Sequence, residues 1–66
     1  MTVVLNGAER SCREGWTLAD LVTEMGLAGR RIAVEINRSI IPRDEYSSYH
    51  LQLGDEIEVV HFVGGG

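Results

Sequence analysis

Lysine is absent from this 66-residue sequence, and its six basic residues are all arginines. The chain therefore has no side-chain amine to which a second copy could be joined by an isopeptide bond. A compositional preference for arginine is the simpler explanation for the absence of lysine. The single cysteine, Cys12, excludes an intramolecular disulfide, and no group of cysteines and histidines has the spacing of metal ligands. We therefore expect a fold that depends on packing alone and holds no metal.

Positive charge and long apolar runs are also scarce. The formal net charge is −4, which argues against a nucleic-acid partner because such proteins present a basic surface. No apolar run reaches the roughly 20 residues that span a bilayer, and the first ten residues lack the basic start and apolar stretch of a secretion signal. We expect one cytoplasmic domain, monomeric when free, without membrane or nucleic-acid contacts.

The first half of the chain predicts a hairpin followed by a helix. Asn6 and Gly7 separate two extended runs and favour a type I′ turn, in which both central residues have positive φ. Thr17 is placed as a helix N-cap, with Asp20 three residues on as in a capping box. Gly26 is placed to end the helix in the left-handed conformation. The apolar stripe of this helix consists of Leu18, Leu21, Val22 and Met25.

The second half predicts strands separated by polar turns. Residues 31–37 (RIAVEIN) alternate between two faces, and residues 57–63 (IEVVHFV) form the last strand. Between them lie a short extended piece before Pro42 and an irregular or 3₁₀ turn over residues 43–50. The single helix must then cover one face of a mixed sheet of four to five strands, with the first and last strands adjacent in its middle. This layout predicts an α+β fold of the β-grasp (ubiquitin-like) type.

The last strand carries apolar residues on a face where polar ones are expected. Ile57 and Val59 share the face assigned to the helix, so Glu58, Val60 and Phe62 lie on the open face. Exposed apolar side chains that cluster often mark a partner surface. The alternative is that residues at the end of the strand pack locally over the sheet edge, and the pattern alone leaves both interpretations open.

Three glycines follow the last strand, so we expect residues 1–63 to form the domain and residues 64–66 a flexible tail. Such a tail adds nothing to a core. It is either slack at a chain end or a cloning remnant, or it serves to carry the α-carboxylate of Gly66 into a narrow site on another protein, where a Cβ would clash. A carboxylate is a poor electrophile, but it becomes reactive when ATP converts it to an acyl adenylate.

Over its whole length the chain resembles the sulfur carrier proteins of thiamine (thiazole) biosynthesis, the ThiS family of the ubiquitin-like superfamily. The resemblance rests on VVLNG at 3–7, GWTLADLV at 15–22, AVEINRSIIPRDEY at 33–46 and LGDEIEVVHFVGGG at 53–66. The segment EIEVVHFVGGG at 56–66 is its most specific part.

The resemblance implies a cycling substrate rather than an enzyme. An E1-like adenylyltransferase of the ThiF type would use ATP and Mg²⁺ to adenylate Gly66, and sulfur from a cysteine desulfurase would convert the adenylate to a thiocarboxylate. A thiazole synthase of the ThiG type would then take the sulfur. The chain itself would bind no cofactor. The residues expected to contact these partners are Val60, Phe62, Val63, Gly64 and Gly65.

Two alternatives belong beside this hypothesis. The small subunit of molybdopterin synthase is also a thiocarboxylate carrier, but it tends to be longer, and the brevity of residues 38–56 favours the thiamine carrier. A β-grasp interaction module with an inert tail is the other. Among single residues, Cys12 is expected to be a buried small hydrophobe, His61 a contact or spacer residue, and Asp55 a turn residue.

Overall fold

Within residues 1–62, five strands and one α-helix follow each other in the order that the sequence predicts. The computed structural model describes residues 1–62, so the predictions for Val63, Gly64, Gly65 and Gly66 lie outside the described residues. The strands are β1 (Thr2–Leu5), β2 (Ala8–Ser11), β3 (Ile32–Ile36), β4 (Ser39–Ile41) and β5 (Glu56–His61). The helix α1 spans Leu18–Glu24, and a 3₁₀ turn spans Arg43–Glu45.

The strands form one mixed sheet in the order β2-β1-β5-β3-β4. β5 lies in the middle, parallel to β1 and antiparallel to β3. The β1–β2 and β3–β4 pairs are antiparallel hairpins. The predicted adjacency of the first and last strands is therefore confirmed, and the last strand has a neighbour on both sides.

Both hairpins turn through residues with positive φ. The predicted turn at Asn6 and Gly7 is confirmed, with φ of 50° and 84°. The β3–β4 hairpin uses Asn37 and Arg38, at φ of 51° and 72°. Asparagine tolerates this left-handed region, whereas for arginine it costs about 1 kcal/mol. Unlike the first turn, which Gly7 marks in the sequence, the second turn contains no glycine.

The helix begins and ends as its sequence predicts. The Thr17 hydroxyl accepts a hydrogen bond from the Asp20 backbone N–H (3.2 Å), and the Asp20 carboxylate accepts one from the Thr17 N–H (2.9 Å), which completes a capping box. At the other end Gly26 has φ of 76°, and the Leu27 N–H donates to the Val22 carbonyl (3.0 Å). This is the long hydrogen bond of a Schellman motif.

Residues 43–50 contribute more than the polar turn that the sequence predicts. Tyr46 is buried, and Leu51 directly after the segment is buried as well. The carbonyls of Tyr49 and Tyr46 accept hydrogen bonds from the N–H groups of Leu18 (2.8 Å) and Ala19 (2.9 Å). These are two of the helix donors that have no partner within the helix, so the segment covers the core and completes the N-terminus of α1.

The core lies between α1 and the inner face of the sheet. Its fully buried members come from three strands and the helix: Val3, Leu18, Leu21, Val34 and Ile57. The assignment of Ile57 and Val59 to the helix-facing side is confirmed, since they are 1% and 9% exposed. Within residues 1–62 no helix is long and apolar enough to span a membrane.

Candidate functional site

The central strand β5 holds the chain firmly up to the residues that precede the glycines. Val59, Val60 and His61 pair with residues of β3, and the Phe62 N–H extends this ladder by donating to the Arg31 carbonyl (2.9 Å). Four residues of the sequence follow Phe62. A fully extended chain of four residues spans at most about 14 Å. Gly66 therefore lies no more than about 14 Å from Phe62.

On its other side, β5 is held by the side chain of Asn6. The β1–β5 ladder registers Val4 with Glu56 and Leu5 with Ile57, and the Asn6 N–H donates to the Ile57 carbonyl (2.8 Å). The Asn6 side chain then bonds Val59, accepting from its N–H (2.9 Å) and donating to its carbonyl (3.4 Å). Sequence reasoning found Asn6 only as a turn residue, whereas the structure shows that it extends the pairing of β5 toward the tail.

A second asparagine fixes the start of β5. Asn37 accepts from the Glu56 N–H (3.0 Å) through its side-chain oxygen and donates to the Asp55 carboxylate (3.0 Å) through its side-chain nitrogen. The other oxygen of Asp55 accepts from the Gln52 N–H (2.8 Å). Asp55 is 5% exposed, so the prediction that it is merely a turn residue was incomplete. Its carboxylate joins the turn before β5 to the turn after β3.

The open face of β5 has the apolar character that the sequence predicts. Val60 and Phe62 are 53% and 56% exposed. The alternative interpretation, in which they pack locally over the sheet edge, is therefore wrong. Ile40 on β4, which sequence reasoning did not single out, is also exposed on this face. The exposure of Val60 and Phe62 is thereby established, while their contact with a partner stays a prediction.

Two of the remaining candidate residues, Cys12 and His61, lie within the described part of the chain. Burial raises the pKa of the Cys12 thiol, with Arg10 and the N-terminal amine acting in the opposite direction. The thiol is therefore protonated at neutral pH and enclosed, as expected of a small hydrophobe. Among residues 1–62, His, Cys, Asp and Glu side chains form no group of three or more that could hold a metal ion. His61 lies exposed opposite Ile32, beside the chain that leads to the tail.

The architecture and the anchored C-terminal strand define a β-grasp domain of the ubiquitin-like class. Residues 3–66 match the sequence profile of the ThiS family. The sulfur carrier protein ThiS of Bacillus subtilis is 38% identical over 63 residues, which cover 94% of this chain and 96% of that protein. The chain therefore belongs to the ThiS family.

Two further comparisons place the chain among structures and longer proteins. A crystal structure of the thiamine biosynthesis protein ThiS from Geobacter metallireducens superposes with a TM-score of 0.83 over 100% of both chains, at 25% identity. A thiazole synthase of Magnetococcus marinus is 42% identical over all 66 residues. The chain spans only 20% of the length of that synthase, so sequences of this kind also occur as a minor part of a larger protein.

Proposed function

We propose that this chain is a sulfur carrier for thiazole formation in thiamine biosynthesis and that the Gly66 carboxylate is the group that carries the sulfur. Membership in the ThiS family supports this function most directly. The position of β5 supports the assignment of the group, because the strand is anchored on both sides and leads into the three glycines. The chain acts as a substrate that is consumed and regenerated, and it is not an enzyme.

The chemistry begins with activation of a poor electrophile. An E1-like adenylyltransferase of the ThiF type binds ATP and Mg²⁺, and a Gly66 carboxylate oxygen attacks the α-phosphorus with loss of pyrophosphate. A sulfur nucleophile then attacks the acyl carbon and AMP leaves. If a cysteine desulfurase delivers the sulfur as a persulfide, the outer sulfur bonds to the acyl carbon as AMP leaves. A thiol then attacks the other sulfur of that S–S bond, which forms a disulfide and releases the thiocarboxylate. The adenylate and the thiocarboxylate both form in a partner's site, so the carrier needs no acid or base of its own.

The three glycines suit a terminus that must enter such a site. They have no Cβ atoms, so the backbone passes through a channel that would exclude any other residue. Gly66 has no stereocentre, so activation cannot racemise it. In this proposal β5 limits the volume that the C-terminus explores, and Gly64, Gly65 and Gly66 let the terminus enter the partner's active site.

The receiving partner is a thiazole synthase. The match of the whole chain to a fifth of the Magnetococcus marinus thiazole synthase supports this partner, because a carrier and an acceptor within one protein meet at high effective concentration. A carrier supplied as a separate chain must achieve the same proximity by binding. The ThiF-type activating enzyme and the cysteine desulfurase are proposed from the resemblance to the ThiS family, and activation by ATP suits a carboxylate, which is a poor electrophile.

Intact mass spectrometry tests the proposal. The chain is incubated with a ThiF-type enzyme, ATP, Mg²⁺, a cysteine desulfurase and cysteine, and its mass is followed. We expect a gain equal to the exchange of one oxygen for one sulfur, located on the C-terminal peptide and reversed by thiazole synthase with its substrates. The Bacillus subtilis carrier serves as the positive control for the enzymes. If they modify that carrier and leave the mass of this chain unchanged under the same conditions, the proposed function is refuted.

A further inference from the structure

Asn6 and Gly7 form a reactive pair that plays no part in the proposed function. The Asn6 side chain is a primary amide, and the residue that follows it has no side chain. When such an amide turns toward the main chain, the nitrogen of the next residue can attack its carbonyl carbon. Any other residue places a Cβ beside that nitrogen, whereas glycine leaves it open. Both residues are exposed, so water reaches them.

A second asparagine has the same conformation but a different neighbour. Asn37 is the first residue of the β3–β4 turn and has φ of 51°, and Asn6 is the first residue of the β1–β2 turn and has φ of 50°. Both side chains bond the backbone of β5, one at Val59 and the other at Glu56. The residue after Asn37 is Arg38, whose side chain shields the backbone nitrogen. The two asparagines are therefore matched in fold and differ in reactivity.

In the folded chain the Asn6 amide is held away from this reaction. Its oxygen accepts from the Val59 N–H (2.9 Å), and its nitrogen donates to the Val59 carbonyl (3.4 Å). Attack by the Gly7 nitrogen requires the side chain to rotate and break both bonds. Turns and loops open locally at a lower free energy than the core. The reaction therefore needs only the β1–β2 turn to separate from β5, and the rest of the fold stays intact.

We propose that Asn6 is a site of spontaneous deamidation, which occurs when the β1–β2 turn separates from β5 and which then keeps the two apart. The Gly7 nitrogen attacks the Asn6 side-chain carbonyl carbon and loses its proton. The amide –NH₂ takes up a proton and leaves as ammonia, so that a cyclic succinimide forms. Water then opens the ring at either carbonyl and leaves a carboxylate. Overall, one water is consumed and one ammonium ion is released, without an oxidant, a reductant or an enzyme.

Both products lose the contact that held the amide. Opening at one carbonyl gives aspartate, whose carboxylate has no donor for the Val59 carbonyl. Opening at the other gives isoaspartate, in which the main chain runs through the former side chain and is longer by one carbon. A two-residue turn with this extra atom no longer fits the register of Leu5 with Ala8. Deamidation is therefore a one-way switch that releases one side of the last strand.

Peptide mapping by mass spectrometry tests the site. The full chain is incubated at neutral pH with and without urea, and each asparagine is scored by the mass change for exchange of –NH₂ for –OH. In urea we expect Asn6 to react at least roughly tenfold faster than Asn37, because Arg38 shields its nitrogen and Gly7 does not. In the folded chain we expect the two bonds to Val59 to slow the reaction of Asn6 roughly tenfold.

Two glycine variants separate local opening from global unfolding. Gly7 and Gly15 have φ of 84° and 85°, and a Cβ added at either one meets nothing within 4 Å, so their replacement by alanine strains the backbone equally. Gly7→Ala places a Cβ beside the attacking nitrogen and should slow the reaction of Asn6 roughly tenfold. Gly15→Ala leaves the pair intact and should not change the rate in the folded chain. An acceleration of about fivefold in Gly15→Ala would place the reaction in the unfolded chain and overturn the local opening.

Hydrogen exchange tests the consequence. Deamidation adds one negative charge to a chain of formal net charge −4, so the modified chain is isolated by ion exchange. We expect its Val59 amide to exchange roughly tenfold faster and its Leu27 amide, which bonds the Val22 carbonyl at the end of α1, to exchange as before.

Three further results would overturn the proposal. Equal rates at Asn6 and Asn37 in urea would remove the site. Equal rates at Asn6 with and without urea would show that the bonds to Val59 do not hold the amide. Unchanged exchange of the Val59 amide in the modified chain would remove the switch. These measurements need no partner enzyme, so their outcome is independent of the proposed function.

Discussion

The side chain of Asn6 bonds the backbone of Val59 through both of its polar atoms. Its oxygen accepts from the Val59 N–H at 2.9 Å, and its nitrogen donates to the Val59 carbonyl at 3.4 Å. The two residues are 53 positions apart in the sequence. A turn residue of the first hairpin therefore supplies the pairing that β1 no longer provides for the last strand.

Replacing Asn6 should loosen the last strand. Asn6→Gly keeps the positive φ available but removes both side-chain bonds, and we expect a loss of about 1–2 kcal/mol in the free energy of unfolding. Asn6→Asp keeps the acceptor for the Val59 N–H but sets a second carboxylate oxygen against the Val59 carbonyl, so a loss of stability is expected there as well. Urea denaturation gives the free energies, and hydrogen exchange should accelerate more at the Val59 amide than at the Leu27 amide. Unchanged stability in Asn6→Gly would show that the bonds to Val59 contribute nothing.

Asp55 should be the most sensitive acidic residue of the chain. Asp55→Ala removes the acceptor of the Asn37 side-chain nitrogen and of the Gln52 N–H. Because Asn37 and Gln52 are exposed residues, water replaces part of each bond, and we expect a total loss of about 1–3 kcal/mol in the free energy of unfolding. Asp55→Asn retains the shape but turns an N–H₂ group toward a donor, so an intermediate loss is expected. Asp44→Ala, at an exposed position of the 3₁₀ turn, should change stability by less than about 0.5 kcal/mol. Equal effects at Asp55 and Asp44 would contradict this account.

Local chemistry made most of the fold predictable from the sequence. The turn at Asn6 and Gly7, the capping box of Thr17 and Asp20, and the end of the helix at Gly26 depend on residues within a few positions of each other. Alternation in β3 and β5 then assigned the two faces of the sheet. Because one helix must cover one face of one sheet, few strand orders are possible, and the central position of β5 was predicted from this constraint.

Contacts between distant segments were not predictable in the same way. Tyr46 is held against the N-terminus of α1, where its carbonyl accepts a hydrogen bond from the Ala19 N–H. The Asp55 carboxylate accepts a hydrogen bond from the side chain of Asn37, 18 residues away. The exposed apolar face was predictable from alternation, but the partner roles of Val60, Phe62, Val63, Gly64 and Gly65 and the chemistry of Gly66 stay predictions, as does the cytoplasmic location.

Alkaline pH should destabilise the chain through Cys12 and Tyr49. Burial raises the pKa of the Cys12 thiol; burial and, second, the Asp55 charge raise the pKa of the Tyr49 phenol. Since the folded state holds these protons more tightly than the unfolded state, their contribution is complete below the unfolded pKa values and is lost as the pH rises through the folded ones. The free energy of unfolding should be steady near neutral pH and fall above about pH 9.

Two variants separate the contributions of these groups. Cys12→Ala should flatten the first part of the alkaline decline and Tyr49→Phe the later part, whatever their effects at neutral pH. The slopes of stability against pH are compared rather than the absolute stabilities, because Cys12→Ala also leaves a small cavity. A decline that is unaltered in both variants would assign the alkaline loss to other groups.

The glycine tail should matter for activation and not for folding. Gly65→Ala and Gly66→Ala add a Cβ where the terminus must enter the adenylation site, and we expect the rate of ATP–pyrophosphate exchange with a ThiF-type enzyme to fall roughly tenfold or more. The thermal midpoint should stay the same, since both residues follow Phe62, whose N–H bonds the sheet.

Gly15→Ala is the control. Gly15 has φ of 85°, so its replacement should lower the free energy of unfolding by about 1 kcal/mol and leave the rate of ATP–pyrophosphate exchange by the folded chain unchanged. One residue appended after Gly66 should abolish exchange altogether. A lowered midpoint in the tail variants would make the glycines structural, and full exchange by the extended chain would mean that the Gly66 carboxylate is not the group activated.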